Sequence, residues 1–245
     1  MRSILLMLLL LPCLLKALEQ PALRAIVSDS NTPPYAIFAA DGVPQAGLSK
    51  DIIDELARQL GRPVTYLNLP RTRVEQWLLE GQAELACFLN PDWVTQPDKL
   101  LWTDALFSTQ QLLVRLRGTE PVSAIQHLAD KRVGTTWGFT YPELEQVFRL
   151  GDVIRDDAHS LESNLLRLKQ GRLDVVMTVD LSYLFYVKTT QDQSFAADPL
   201  WSAPPSVYCA LSQHNATLAL QLKQQFTTLV QSGFIQQRLA FYMGR

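Results

Sequence analysis

The chain has 245 residues, with 22 Lys and Arg against 24 Asp and Glu and a formal charge of −2. That balance excludes a strongly basic nucleic-acid binder as the starting reading. With 47% hydrophobic and 19% charged residues, the composition is far from that of disordered chains, and the length accommodates one large domain or two modest ones.

Met1-Arg2-Ser3 precedes an apolar run from Ile4 to Leu15, too short for a membrane span, which needs about 20 residues. A positive start, an apolar stretch and the small residue Ala17 describe a secretory signal peptide over residues 1–17, with Ala22 as the second cleavage candidate. Pro12 precedes Cys13, where a lipid-attachment motif wants a small residue, so no lipid anchor is expected. The mature protein is expected to be exported to an oxidising compartment.

From Leu23 to Asp29 a β-like run ends in the turn-forming stretch Ser30-Asn31-Thr32-Pro33-Pro34-Tyr35. Ile52, Ile53, Leu56 and Leu60 share a helical face, with Ser49 as the expected N-cap and Gly61 as the stop. Val64 to Leu69 is the next strand, Pro70 opens a helix through Val74, Trp77 and Leu78 that ends at Gly81, and Leu85 to Leu89 is a third strand. Strands alternating with short helices predict a mostly parallel α/β sheet.

The pattern restarts with strand-like Gln111 to Arg117 and Arg132 to Thr136, followed by a strand-loop-helix unit through Gly138 and Pro142. Ser160 caps an amphipathic helix from Leu161 to Gln170, Gly171 ends it, and Asp174 to Thr178 is a buried strand. Beyond Ala203-Pro204-Pro205, the strand Val207 to Leu211 leads to a helix capped by Asn215 and carrying Leu218, Leu222, Phe226 and Leu229; it ends near Gly233, and one more helix closes the chain. A strand and two helices cannot form a third domain, so this segment returns to the first.

The expected organisation is lobe 1 over 18–112, lobe 2 over 113–203 and a return segment to lobe 1 over 204–245. Two crossings, near 107–118 and 200–208, frame a hinged cleft at the carboxyl ends of the strands.

Beyond the signal segment, Cys87 and Cys209 lie in apolar strand-like runs. Export permits a disulfide, but burial in such runs favours reading them as two free thiols. There is no Cys-x-x-Cys, and His127, His159 and His214 fall in unrelated segments, so neither a metal nor another cofactor is expected.

Taken together, Pro33-Pro34-Tyr35, Asp41-Gly42, Gly47 with Asp51, Gly81, Trp102-Thr103-Asp104, Arg132-Val133-Gly134 and Gly171-Arg172-Leu173-Asp174 resemble the periplasmic solute-binding proteins of polar amino-acid ABC transporters, family 3 of the bacterial extracellular solute-binding proteins. The resemblance spans the mature chain. It implies an α/β Venus-flytrap fold of two lobes joined by two crossover strands, a small-molecule ligand, a membrane permease as partner, and a monomer.

The resemblance places the first-strand acidic residue on Asp29, brings Tyr35 to the ligand, and sets the binding residue after the second strand on Arg71. The polar triplet after the third strand falls on Phe88, Leu89 and Asn90. The anion-binding turn of the second lobe falls on Trp137 to Tyr141, with Thr140 supplying the ligand-binding hydroxyl.

Two positions depart from the pattern. Counting back from Trp102-Thr103-Asp104, the arginine that clamps a ligand carboxylate falls on Gln96, which cannot supply the charge. The acid that meets a ligand amine falls on Val179, with Asp180 one position later and, by strand alternation, turned the other way unless the loop bends. Arg71 and Arg73, at a helix start that itself favours anions, are candidate replacements for the arginine. Trp93, beside Asn90, could stack on a ring or cover a cation. With Trp137, Phe139, Tyr141 and Tyr183, the aromatic content suggests a ligand larger or flatter than glutamate or lysine.

Two rivals stay open. The fold also resembles cyclohexadienyl dehydratases, whose chemistry needs a positioned general acid, for which Asp29 and Asp180 are the candidates. A sensing module that presents its ligand-bound shape to a membrane receptor needs the same cleft and lobe surfaces. No Gly-x-Ser-x-Gly or His-Glu-x-x-His occurs.

Overall fold

The computed structural model describes residues 20–243; the signal segment and Cys13 lie outside the described residues. The elements in order are β1 (Leu23–Ser28), β2 (Ile37–Phe38), β3 (Pro44–Ala46), α1 (Leu48–Leu60), β4 (Val64–Leu69), α2 (Arg71–Leu79), β5 (Leu85–Leu89), β6 (Leu100–Trp102), β7 (Phe107–Ser108), β8 (Gln111–Leu116), β9 (Arg132–Thr136), α3 (Glu145–Leu150), β10 (Ile154–Ala158), α4 (Leu161–Lys169), β11 (Val175–Val179), α5 (Asp180–Thr190), β12 (Phe195–Pro199), β13 (Ser206–Ser212), α6 (Ala216–Gln231) and α7 (Phe234–Met243).

Two sheets carry the architecture. The first has the order β4-β1-β5-β13-β6, with β7 also pairing β13; the second is β10-β9-β11-β8-β12. In each, a parallel core (β4-β1-β5, β10-β9-β11) is extended by antiparallel strands. The chain leaves the first sheet between Ser108 and Gln111 and returns between Pro199 and Ser206.

The helices form where burial demands a stripe. Ile52, Ile53 and Leu56 of α1 are fully buried against β1 and α6, each contributing about 1.5–3 kcal/mol. Gly61 ends α1 in the left-handed region. The N-cap is Gly47 and not Ser49, which is buried inside the first turn, because Pro34 and Tyr35 present their carbonyls to the N–H groups of Leu48 and Ser49. Ser160 accepts from the Ser163 N–H, and the Asn215 side chain from that of Leu218.

The expectation of two free thiols is overturned: Cys87 and Cys209 form a disulfide. Strands β5 and β13 are antiparallel neighbours, and their register sets Cys209 directly opposite Cys87. The bond ties the outgoing strand of the first lobe to its return strand, across the whole excursion into the second lobe.

Candidate functional site

Between the sheets lies a cleft whose empty space, counting its open mouth, is about 970 Å³. The first lobe lines it with Ser28 and Ser30 at the end of β1, with Thr32 and Tyr35, and with Arg71, Phe88 and Trp93; Thr109 and Gln111 line it at the crossing; Thr136, Phe139, Thr140, Tyr141 and Val179 face it from the second lobe. These positions cluster at the carboxyl ends of β1, β5, β9 and β11, where ligands of open α/β sheets bind.

Arg71 opens α2 immediately after Pro70. Its Nη2 donates to the Trp93 carbonyl at 3.2 Å, and it forms no salt bridge among the described residues. Burial lowers the pKa of this guanidinium from its ordinary value, Glu75 opposing the shift; an arginine stays charged regardless. Glu75, one turn later, accepts from the Thr95 N–H (2.9 Å) and the Gln96 N–H (2.6 Å) and so pins the loop that carries Trp93.

Phe88 stands where the resemblance placed a polar residue. It is the extra residue of a β-bulge, Leu89 facing Tyr208 and Cys87 facing Cys209, and its φ of 62° is a left-handed conformation that costs an aromatic residue about 1–3 kcal/mol. The bulge turns its ring into the cleft, at 4.9 Å from the Tyr35 ring and 5.9 Å from that of Phe107.

Tyr35 is buried, and burial raises its phenol pKa well above the ordinary value. Thr109 gives its hydroxyl proton to Asp180 Oδ1 (2.9 Å), so the Tyr35 hydroxyl donates to Thr109 Oγ1 at 3.4 Å. Asp180 Oδ1 also accepts from the Leu181 N–H at 2.7 Å. The Asp180 carboxylate therefore stands behind Thr109, and Val179 faces the cleft in its place.

Of the residues read from sequence, Tyr35, Arg71, Phe88, Leu89, Trp93, Phe139, Thr140 and Tyr141 come together on the cleft wall. Tyr141 presents only its ring, because its buried hydroxyl accepts from the Thr136 N–H at 2.9 Å. The remaining candidates do not line it. Asp29 is exposed and accepts from Ser30 Oγ, and Arg73 is exposed. Asn90 is spent on the backbone of Asp92 and Ser206. Trp137 is 52% exposed beside His159. Gln96 is also exposed, outside the lining.

Sequence reasoning passed over Gln111, Thr109 and the serines of the first strand. Gln111 had a signal: a polar residue opening the apolar run Leu112-Leu113-Val114 at a crossing between lobes. It is 5% exposed, and its Oε1 has no hydrogen-bond partner among the described residues. No group of three or more His, Cys, Asp or Glu suited to a metal ion occurs among the described residues.

No protein-family model and no curated protein matches the sequence. Solved structures match over most of the chain. An ancestral arginine-binding protein bound to arginine is 18% identical, with a TM-score of 0.75 over 91% of this chain and 97% of that one. An ABC uptake transporter substrate-binding protein from Streptococcus pneumoniae with bound histidine is 17% identical, with a TM-score of 0.76 over 91% and 93%. A histidine kinase sensor domain with similarity to periplasmic binding proteins is 15% identical, with a TM-score of 0.75 over 91% and 96%. The chain has the two-lobed α/β fold of periplasmic binding proteins.

Proposed function

We propose that the chain is a periplasmic solute-binding protein that captures a small organic solute between its lobes and presents it to an ABC-type permease. The observation that carries this reading is the half-buried Arg71 guanidinium, without a salt bridge among the described residues, in the wall of an interlobe cleft. The similarity to a histidine-bound ABC substrate-binding protein and to an arginine-bound ancestral protein supports it. So do the disulfide and the signal-like start of the sequence, which fit an exported protein. No helix among the described residues is long and apolar enough to cross a membrane. The protein acts as a monomer, without a cofactor.

Binding is favoured over catalysis because no Asp or Glu is among the residues lining the cleft, and loss of water and carboxylate from a prephenate-like substrate needs an acid there. A thermal-shift screen of the mature protein against amino acids, polyamines, organic acids and aromatic acids tests the reading, since a solute that binds only the folded state raises the melting temperature. Absence of stabilisation across the screen at about 1 mM overturns it. The likeness to a sensor domain supports sensing as a second reading. Deleting the gene abolishes uptake of the stabilising solute if the role is transport, and abolishes only a regulatory response to it if the role is sensing.

A further inference from the structure

The charge and hydrogen-bonding inventory of the cleft identifies what kind of solute it suits; this step rests on the solute-binding reading and sharpens it. Two polar groups in the wall lack partners. Arg71 uses one N–H on the Trp93 carbonyl, and the rest of its fork has no partner among the described residues, an arrangement suited to a planar anion. Gln111 lines the cleft, and its Oε1, closed off from solvent, has no hydrogen-bond partner among the described residues. A buried acceptor left unmet costs about 1–3 kcal/mol, a cost relieved when the side-chain amide turns its oxygen to a donor carried in by the ligand.

The remaining surface is dominated by rings. Tyr35, Phe88 and Trp93 face the cleft from one lobe and Phe139 from the other, a wall that suits a flat apolar body.

What the wall lacks is equally informative. None of the residues lining it is an Asp or a Glu. Asp180 is turned to Thr109 and to the Leu181 N–H, and Asp29 is exposed outside. A ligand ammonium would enter beside the Arg71 cation, give up its hydration, and find no carboxylate, at a cost of several kcal/mol.

We infer that the cleft takes an aromatic monocarboxylate carrying a neutral hydrogen-bond donor, such as a 2-hydroxy-3-aryl acid, and discriminates against the ammonium group of α-amino acids. The carboxylate lies on Arg71, the hydroxyl donates to Gln111 Oε1 as that amide turns to the cleft, and the ring packs among the aromatic side chains.

Calorimetric titration of the mature protein with four probes of one skeleton tests this: 3-phenyllactate (each enantiomer), 3-phenylpropanoate, L-phenylalanine and 2-phenylethylamine. The expected result is that one enantiomer of 3-phenyllactate binds at least about tenfold tighter than L-phenylalanine, which differs from it only by an ammonium in place of the hydroxyl, and that 2-phenylethylamine does not bind. Gln111→Leu should remove the advantage of 3-phenyllactate over 3-phenylpropanoate while leaving 3-phenylpropanoate binding in place. L-phenylalanine binding as tightly as 3-phenyllactate, the amine binding best, or none of the four binding overturns the inference. If another solute in the thermal-shift screen still stabilises the protein, the solute-binding reading survives that outcome; if none does, both fall. Should Gln111→Leu fail to fold, the comparison of probes on the unaltered protein decides alone.

Discussion

Gly138 of the second lobe packs directly on Arg71 of the first: a Cβ built on Gly138 would lie 3.3 Å from the Arg71 Cβ and 3.2 Å from Thr72 Cγ2. The loop after β9 thus closes over the start of α2, and it does so with a φ of +75° that a residue with a side chain adopts only at a cost of about 1–2 kcal/mol. Arg71 and the loop against it are in direct contact across the cleft.

Gly138→Ala should therefore hinder closure. The backbone cost falls on open and closed forms alike, whereas the contact with Arg71 and Thr72 exists only when the lobes meet. We expect ligand affinity to fall about tenfold, equivalent to about 1.4 kcal/mol lost from the closed state. Small-angle scattering at saturating ligand should then show a larger radius of gyration for the variant than for the parent. Unchanged affinity and unchanged compaction would show that this contact plays no part in closure.

The Cys87–Cys209 bond joins residues separated by 122 positions. Closing so long a loop restricts the unfolded chain, and removing the bond should cost about 2–5 kcal/mol. Urea unfolding of a Cys87→Ala, Cys209→Ala double variant should show a lower midpoint and a steeper slope, because the unfolded chain, no longer cross-linked, exposes more surface. In the oxidised parent, a chain starting at Leu18 should expose no alkylatable thiol even after denaturation. Labelling at both cysteines there would refute the pairing.

Much of the fold was legible because its central strands and amphipathic helices carry one-sided apolar patterns. Val64–Leu69, Leu85–Leu89 and Arg132–Thr136 are strands at the expected bounds. The elements that escaped have physical reasons for doing so. β10 and β12 are the edges of the second sheet, and edges tolerate the charges of Arg155, Asp156, Asp157 and Asp198. Helix α5 serves both lobes, Leu181 and Phe185 packing into the first core while Tyr183 and Tyr186 pack into the second, so no single stripe betrays it. In the cleft, Arg71 lines the wall at the position after the second strand to which the resemblance pointed. Phe88 and the disulfide depend on a bulge and a pairing register that no local pattern encodes.

Across β8 and β12, Arg115 and Asp198 form a largely buried pair, Nε to Oδ2 at 2.8 Å and Nη2 to Oδ1 at 3.3 Å, and Asp198 also accepts from the Val122 N–H at 2.8 Å. Burial alone would raise the Asp198 pKa, but these donors outweigh it and hold it below its ordinary value. A depressed carboxylate stabilises the fold above its unfolded pKa of about 3.9, and that contribution is lost as pH falls through the folded value. Asp198→Asn should destabilise the protein by about 1–3 kcal/mol near pH 7. The gap between variant and parent melting temperatures should narrow as the pH drops below about 4. A gap constant down to acid unfolding would mean that the ionised pair contributes nothing.

Arg71 and Arg73 sit two residues apart at the start of one helix, equally placed to favour an anion by the helix end alone. Only their side chains distinguish them, Arg71 facing the cleft and Arg73 exposed to solvent. If the guanidinium inside the cleft holds the ligand, Arg71→Ala should weaken binding of a carboxylate ligand at least about tenfold, while Arg73→Ala should change it less than about twofold. Arg71→Lys should recover only part of the loss, because a lysine keeps the charge but not the planar fork. Equal effects at the two positions would instead assign the attraction to the general field of the helix end and remove Arg71 from the site.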